Sequence, residues 1–166
     1  MHLKRIIGID PGSRLMGIGV IDSDGRYNKH IYSDTLRLDG SSPIPERLGI
    51  IFTEVKRIIE HYSPDEFAIE NVFMAKNAAS ALKLGQARGA AICAAVTSKL
   101  DVFEYSPKEI KQSVVGKGAA DKQQVQHMVK VLLNLQGKLQ ADAADAMAVA
   151  LCHAHAGALK ARLQGK

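Results

Sequence analysis

Two short apolar runs of the chain each end in a carboxylate, and this arrangement restricts the fold more than any other feature. Residues 6–9 (Ile-Ile-Gly-Ile) lead into Asp10, and residues 67–69 (Phe-Ala-Ile) lead into Glu70. An acidic side chain inside or at the end of a hydrophobic strand costs free energy unless something neutralises it. We therefore expect the fold to bring a compensating positive charge to both strand ends.

A second pair of carboxylates lies in an alanine-rich stretch near the end of the chain. Asp142 and Asp145 are three residues apart, so they share one face of a helix. A solvated helix face is one explanation, but the alanines indicate close packing, where unpaired acids are costly. Clustered carboxylates repel one another, and divalent cations relieve that repulsion. Oxygen ligands without cysteine suit Mg²⁺ or Mn²⁺, so the four acids predict metal-assisted phosphodiester cleavage.

The order of apolar patterns predicts a meander, then an α/β segment, then helices. Strands are predicted at residues 4–10, 16–22, 27–38, 66–70 and 102–105, and helices from Pro45, over 77–99, after Pro107, over 121–134 and over 141–156. This order favours an α/β fold with a mixed sheet flanked by helices. We expect a single domain over residues 1–156, followed at 157–166 by a basic C-terminal end that is free to be flexible.

The predicted helix at 77–99 is rich in alanine and glycine, and Gly85 and Gly89 lie four residues apart. Small residues on one face of a helix let another backbone approach closely. Two arrangements satisfy this pattern: the helix packs tightly on its own sheet, or it pairs with a second chain.

Charge and cysteine usage limit the partners and the compartment. The formal net charge is +5 and the pI about 9.2, so the positive excess lies outside the acidic site. A negative metal pocket within a basic footprint is typical of nucleic-acid enzymes, although many basic proteins bind no nucleic acid. Cys93 and Cys152 lie in apolar stretches without metal-ligand spacing, which indicates small buried residues in a reducing compartment. Without a signal-peptide pattern or an apolar run of about 18 residues, we expect a cytoplasmic protein without a membrane partner.

Four segments of the sequence form a recognisable set: IDPGSR at 9–14, FAIENVFMAKN at 67–77, LGQARG at 84–89 and ADAADA at 141–146. In their order and spacing they resemble the RuvC family of bacterial Holliday-junction endonucleases. The resemblance extends over residues 5–156. It implies a ribonuclease H-like fold with a five-stranded mixed sheet and helices on both faces. It also implies a homodimer that binds four-way DNA junctions, nicks two strands symmetrically and works with the RuvA–RuvB branch-migration proteins.

Carried over by position, the resemblance places the family's catalytic acids on four residues, which we also expect to be the metal ligands: Asp10, Glu70, Asp142 and Asp145. We expect two Mg²⁺ ions per subunit, with Mn²⁺ able to replace them, and products with 5′-phosphate and 3′-hydroxyl ends. In this scheme Asp10 is the bridging ligand, and the assignment of the other acids to one ion or the other stays open.

Basic and aromatic residues complete the implied site. Lys111 and Lys122 match the family's basic residues that support cleavage and contact DNA, and Phe73 matches its aromatic beside the junction centre. The ordinary alternatives are a solvated lysine and an aromatic that anchors its own loop. We expect Phe73 to stack on a base, a contact that contributes roughly 1–3 kcal/mol. Further phosphate contacts are expected from Lys76, Lys83, Arg88 and Lys117.

Three other functions are alternatives to a junction endonuclease. Another nuclease of the same fold would cut RNA–DNA hybrids or other branched DNA. A junction-binding protein without catalysis would bind and not cut, which the complete set of acids disfavours. The surroundings of Asp10 also resemble the first phosphate loop of actin-like ATPases, but those proteins need a second domain, for which 166 residues leave no room.

Overall fold

The computed structural model describes residues 2–72 and 77–165. The described elements are, in chain order, β1 Lys4–Asp10, β2 Leu15–Ser23, β3 Asn28–Arg37, α1 Ile44–Tyr62, β4 Glu66–Glu70, α2 Ala78–Thr97, β5 Val102–Tyr105, α3 Pro107–Val115, α4 Lys122–Leu132 and α5 Ala141–Gln164. The predicted elements are confirmed, and their ends agree within two residues except at the end of α5. Among the helices of the described ranges, none is long and apolar enough to cross a membrane.

The strands form one mixed sheet in the order β3-β2-β1-β4-β5. Strands β1, β2 and β3 are antiparallel neighbours, because short turns connect them. Strand β4 is parallel to β1, and β5 is parallel to β4, so each of these steps needs a long crossover. Helices α1 and α2 provide the two crossovers. The predicted five-stranded mixed sheet with helices on both faces is confirmed.

Alternation of side chains along the strands divides the core into two layers. On β1, Ile7 and Ile9 are fully buried in the layer that α1 and α2 cover, whereas Ile6 is buried in the layer of α3, α4 and α5. Because side chains alternate along a strand, Gly8 and Asp10 lie on the same side as Ile6. Asp10 therefore ends β1 on the sheet face that α5 covers.

Helix α5 lies directly on the backbone of β1 and β2, because glycines face it there. A Cβ atom added to Gly8 would lie 2.2 Å from the carbonyl oxygen of Ala146, and one added to Gly17 would lie 1.9 Å from the carbonyl oxygen of Asp142. Neither position accepts a side chain unless the helix moves. These two glycines therefore set how closely Asp142 approaches the end of β1.

Helix α2 uses its alanines for packing inside the chain. Ala87, Ala91 and Ala94 are fully buried in the layer shared with α1. A Cβ atom added to Gly85 or Gly89 would meet nothing within 4 Å in the described part of the chain. The alanines thus adopt the first predicted arrangement, packing on the chain's own core, and the glycines are not needed for it.

Helix α5 is longer than predicted, since it runs to Gln164 and not to residue 156. The shorter prediction ended the helix before Gly157, but a single glycine inside a helix costs only about 1 kcal/mol. The residues that follow Gly157 are mostly strong helix formers, and Gly165 caps the end. The predicted basic end is helical up to this cap. The division into a domain at 1–156 and a separate end stays a prediction.

Candidate metal centre

The first two carboxylates meet because they end neighbouring parallel strands. Ile9 of β1 pairs with Ile69 of β4, so Asp10 and Glu70 follow side by side at one edge of the sheet. Glu70 lies two residues after Ala68, which is buried in the α5 layer, so strand alternation puts its side chain on the same face as Asp10. Both residues are half-buried. Parallel pairing thus brings together two acids that lie 60 residues apart in the sequence.

Helix α5 adds the other two carboxylates from its first two turns. Asp142 lies in the first turn and Asp145 lies three residues later, on the side of the helix that meets the sheet. Asp10, Asp142 and Asp145 each offer one carboxylate oxygen, and these three oxygens lie within 4.8 Å of one another. This spacing allows one cation to bridge all three side chains.

Glu70 lies beside this group of three aspartates. It lines a cavity of about 150 Å³ together with Asp145, and a neighbouring cavity of about 270 Å³ together with Asp10. Glu70 therefore lies between two cavities, one shared with Asp10 of β1 and the other with Asp145 of α5. A ligand in these cavities would contact acids from all three elements.

The surroundings of the acids disfavour their charged forms. Burial raises the pKa of Asp10 to about 8, and the nearby charges of Glu70, Asp145 and Asp142 add to the shift. Burial also raises the pKa of Glu70 to about 7, with a further contribution from Asp145. The pKa of Asp145 is raised as well, chiefly by burial. Without a counter-charge, Asp10 and Glu70 would stay partly protonated at neutral pH.

The donor set fits a divalent cation. Every side chain in the group is a carboxylate, and oxygen ligands suit Mg²⁺ and Mn²⁺. A bound cation would offset the burial and the repulsion that together raise the pKa of Asp10, and it would replace the proton. Of the four acids predicted from the sequence, Asp10, Asp142 and Asp145 form a group that could hold one metal ion, and Glu70 lies beside this group.

Two lysines line the smaller of these two cavities, which Glu70 shares with Asp145. Lys111 on α3 is half-buried, Lys122 is the exposed first residue of α4, and both line the cavity with Glu70 and Asp145. Their charges act against the shifts described above: Lys122 lowers the pKa of Asp10, and both lysines lower the pKa of Glu70. The fold therefore brings both predicted lysines to the acids.

The remaining predicted DNA contacts have different placements. Lys83 on α2 and Lys117 after α3 are exposed. Arg88 is partly buried, and its guanidinium donates hydrogen bonds to three protein acceptors. Phe73 and Lys76 lie outside the described residues.

Arg47 is a residue that the sequence analysis did not single out. It is 6% exposed, and it donates to the carbonyl oxygens of Ser13 (3.1 Å) and Ser42 (3.0 Å). These bonds tie the turn that follows Asp10 to the start of α1. The signal was present, since Arg47 lies four residues before Ile51 and so falls on the apolar stripe of α1.

The fold and the site together define a class. A mixed sheet whose central strand ends in an aspartate, with further carboxylates from the adjacent parallel strand and from a helix packed on that face, is the arrangement of ribonuclease H-like nucleases.

Comparison with known proteins is consistent with this class and narrows it. The family model described as crossover junction endodeoxyribonuclease RuvC matches residues 6–153. The crossover junction endodeoxyribonuclease RuvC of Xanthomonas axonopodis pv. citri (strain 306) is 57% identical over 162 residues, which cover 97% of this chain and 93% of the relative. The chain belongs to the RuvC family.

Solved structures share the fold. The structure of T. thermophilus RuvC in complex with Holliday junction substrate has a TM-score of 0.90 and 31% sequence identity, covering 95% of this chain and 96% of that chain. The yeast mitochondrial Holliday junction resolvase Ydc2 has a TM-score of 0.69 at 13% identity, covering 95% of this chain and 81% of its own, and at this identity it supports the fold alone.

Proposed function

We propose that this protein is a metal-dependent endonuclease that resolves four-way DNA junctions. The observation that carries the proposal is the group of three aspartates whose carboxylate oxygens lie within 4.8 Å of one another, in a chain of the RuvC family. The adjoining cavity with Glu70, Lys111 and Lys122 supports it, because a phosphodiester needs positive charge beside the acids. The T. thermophilus relative was solved with such a junction.

In the proposed reaction, a water oxygen attacks the scissile phosphorus and gives up a proton, the bond from phosphorus to the 3′ oxygen breaks, and the 3′ oxygen takes up a proton. A bound Mg²⁺ would supply the positive charge that makes the water a better nucleophile and stabilises the leaving oxygen. Asp10, Asp142 and Asp145 would hold the metal, with Glu70 completing the set. The products would carry 5′-phosphate and 3′-hydroxyl ends.

The lysines have a separate part in this proposal. Lys111 is half-buried and lines the cavity with Glu70, so its charge lies in a position to hold a phosphate oxygen next to the acids. Lys122, at the exposed start of α4, would contact the same phosphate or its neighbour. We propose two Mg²⁺ ions per subunit, which Mn²⁺ can replace, because four carboxylates from three elements exceed what one small cation needs.

Two copies of the chain would act together. A four-way junction has approximate two-fold symmetry and needs two matched cuts, whereas one chain has one acid cluster. The surface of α2 around Leu82 (69% exposed) is apolar and includes Ala78, Ala81 and Gly85. We propose that this surface forms the dimer interface. Leu82→Glu should give monomers by light scattering, whereas Ile50→Glu on α1, also an exposed apolar position, should stay dimeric.

The dimer would bring a formal charge of twice +5 to the junction. Phosphate contacts would come from Lys83 and Lys117, and from Lys76, with Phe73 stacked on a base near the junction centre. Junction affinity should therefore fall steeply as KCl is raised, and a flat titration would contradict this part of the proposal. By family resemblance, the protein would act in the cytoplasm with RuvA–RuvB.

The decisive test compares the wild type with Asp10→Asn on a synthetic junction in Mg²⁺. The variant should bind the junction and lose about a thousand-fold in cleavage rate, which is the scale on which a principal transition-state contact acts. Junction, RNA–DNA hybrid and plain duplex should be compared as substrates, because a nuclease with a different target would prefer one of the latter two. Residual cleavage by Asp10→Asn near the wild-type rate would overturn the catalytic assignment.

A further inference from the structure

Arg88 on α2 reaches the backbone at the end of strand β4. Its Nε donates to the carbonyl oxygen of Glu70 at 3.1 Å, and its Nη2 donates to Oδ1 of Asn71 at 2.7 Å. The same Nη2 makes an ion pair with the carboxylate of Glu104 on β5. One guanidinium thus links α2, the end of β4 and β5 at the residue that carries a predicted catalytic carboxylate.

These contacts leave Arg88 poorly placed to bind DNA. Its side chain is 18% exposed, and its charge is already compensated by Glu104. A phosphate would have to compete with a carboxylate that the fold holds beside it. The sequence predicted a phosphate contact for Arg88, but the hydrogen bonds point to a task inside the protein.

The backbone at Glu70 needs such support because β4 ends there. The pairing of β4 with β1 extends to Ile69, and Glu70 itself pairs only with Tyr105 of β5. The Asn71 N–H donates to the Tyr105 carbonyl at 2.8 Å, after which the chain leaves the sheet. Arg88 supplies a donor to the Glu70 carbonyl on the side where the ladder to β1 has stopped.

We propose that Arg88 is a positioning residue that holds Glu70 in place for metal binding and cleavage, and that it does not contact DNA. The proposal rests on the proposed function, because it concerns the Glu70 carboxylate of that site. A guanidinium is suited to this task, since its rigid planar fork can serve several acceptors at once, whereas a lysine ammonium is a flexible point charge. Glu104 in turn fixes the orientation of the fork.

Arg88→Lys separates the two roles most sharply. If Arg88 positions Glu70, lysine cannot reproduce the fork, and the cleavage rate at saturating junction should fall about 10- to 100-fold, as for other residues that orient metal ligands. The Mg²⁺ concentration for half-maximal rate should rise. A residue needed only for folding would reduce the folded fraction without moving that Mg²⁺ midpoint. If Arg88 binds a phosphate, lysine should keep most of the activity, because it also binds phosphate.

Junction binding without divalent metal gives a readout that is independent of cleavage. Arg88→Met should leave the dependence of affinity on KCl unchanged. Lys83→Met, on the exposed face of the same helix, should lower that slope by about 1.8 for the proposed dimer, because each of the two chains loses one phosphate contact worth about 0.9. A loss of the same size in Arg88→Met would overturn the proposal.

Glu104→Gln covers the case in which the arginine variants do not fold. The positioning role predicts slower cleavage and a higher Mg²⁺ midpoint, because the fork loses its ionic partner. A phosphate-binding role predicts tighter junction binding, because a competing negative charge is gone. If the wild type cleaves junctions and both Arg88→Lys and Glu104→Gln cleave them at the wild-type rate, the positioning role of Arg88 is wrong and the proposed function still stands. If the wild type cuts no junction, the proposed function itself fails.

Discussion

Strand β4 carries a glutamate at each end, and the two side chains have opposite surroundings. Glu66, at the start, pairs with Lys4 and with the buried His153, whose other ring nitrogen lies 2.6 Å from the Tyr105 hydroxyl. Glu70, at the end, stands among carboxylates beside open cavities. Burial acts to raise the pKa of both residues. At Glu66 the hydrogen bonds from Lys4 and His153 outweigh burial and lower the pKa, whereas the pKa of Glu70 rises to about 7.

This difference separates a structural acid from one that can take up a cation. At the start of the strand, Lys4 and the ring of His153 are the partners of the carboxylate, so no ion is required. At the other end, the acids of β1, β4 and α5 are brought together without equivalent partners, which costs stability unless a cation is bound. Only three residues separate Glu66 from Glu70, so the change from a structural acid to one beside the candidate metal centre occurs within a single strand.

Replacing each glutamate with glutamine tests whether Glu66 has a structural role and Glu70 a functional one. Glu70→Gln should lower junction cleavage by about 100-fold or more, since a ligand of the site is lost, with little loss of stability. Glu66→Gln should lower the free energy of unfolding by about 1–3 kcal/mol, because Lys4 and His153 lose a charged acceptor. The folded Glu66→Gln protein should cleave like the wild type. Cleavage rates and urea unfolding curves of both variants check this, and equal effects of the two exchanges would refute the distinction.

The four acids could be predicted from sequence because the free-energy cost of burying each one is evident from its neighbours in the chain. Asp10 and Glu70 end apolar strands, and Asp142 and Asp145 lie among alanines, so each is conspicuous without knowledge of the fold. The partners of Arg88 could not be predicted in this way. Its ion pair with Glu104 forms only after α2 has crossed from β4 to β5, and a lone basic residue in a sequence resembles a DNA contact.

The contact between α5 and the sheet could also not be predicted from the sequence. Gly8 and Gly17 lie within the strands predicted at 4–10 and 16–22, and their need for space depends on which helix covers that face. The length of α5 was underestimated for the related reason that a glycine within a helix is a weak stop signal. Burial of Arg47 could have been inferred from its place on the apolar stripe of α1.

The close contact between α5 and β2 can be tested with two glycine-to-alanine substitutions. Gly17→Ala should destabilise the protein by about 1–3 kcal/mol, because its Cβ would lie 1.9 Å from the Asp142 carbonyl oxygen and push the helix away. The displaced Asp142 should also weaken metal binding. Gly49→Ala in α1, where an added Cβ meets nothing within 4 Å, should instead stabilise by about 0.5–1 kcal/mol. Thermal unfolding with and without Mg²⁺ measures both effects, and a Gly17→Ala protein as stable as Gly49→Ala would contradict the described contact.

Glu66 at the start of β4 and the group of acids beside its other end, which includes Asp10 of β1, should also respond oppositely to pH, by a few degrees in unfolding temperature. The pKa of Asp10 is raised from 3.8 to about 8, so the folded state holds that proton more tightly, and stability without metal should fall between about pH 4 and pH 8. The lowered pKa of Glu66 stabilises the folded state above its ordinary value of 4.5, and this contribution is lost as the pH falls through the lowered pKa.

Variants identify which residue causes each part of this pH profile. In EDTA, the unfolding temperature of Asp10→Asn should fall less toward alkaline pH than that of the wild type. Mg²⁺ in place of EDTA should have the same effect on the wild type. Glu66→Gln should reduce only the loss at acidic pH. An unfolding temperature that rises steadily from pH 5 to pH 8 in metal-free wild type would exclude the proposed state of the carboxylates.

The most direct measurement is the number of Mn²⁺ ions bound per chain, counted by electron paramagnetic resonance of free Mn²⁺ at neutral pH. The wild type should bind two ions, Asp10→Asn should lose most of this binding, and Glu66→Gln should bind as the wild type does. Binding by Asp10→Asn equal to that of the wild type would contradict the claim that these carboxylates form a metal centre.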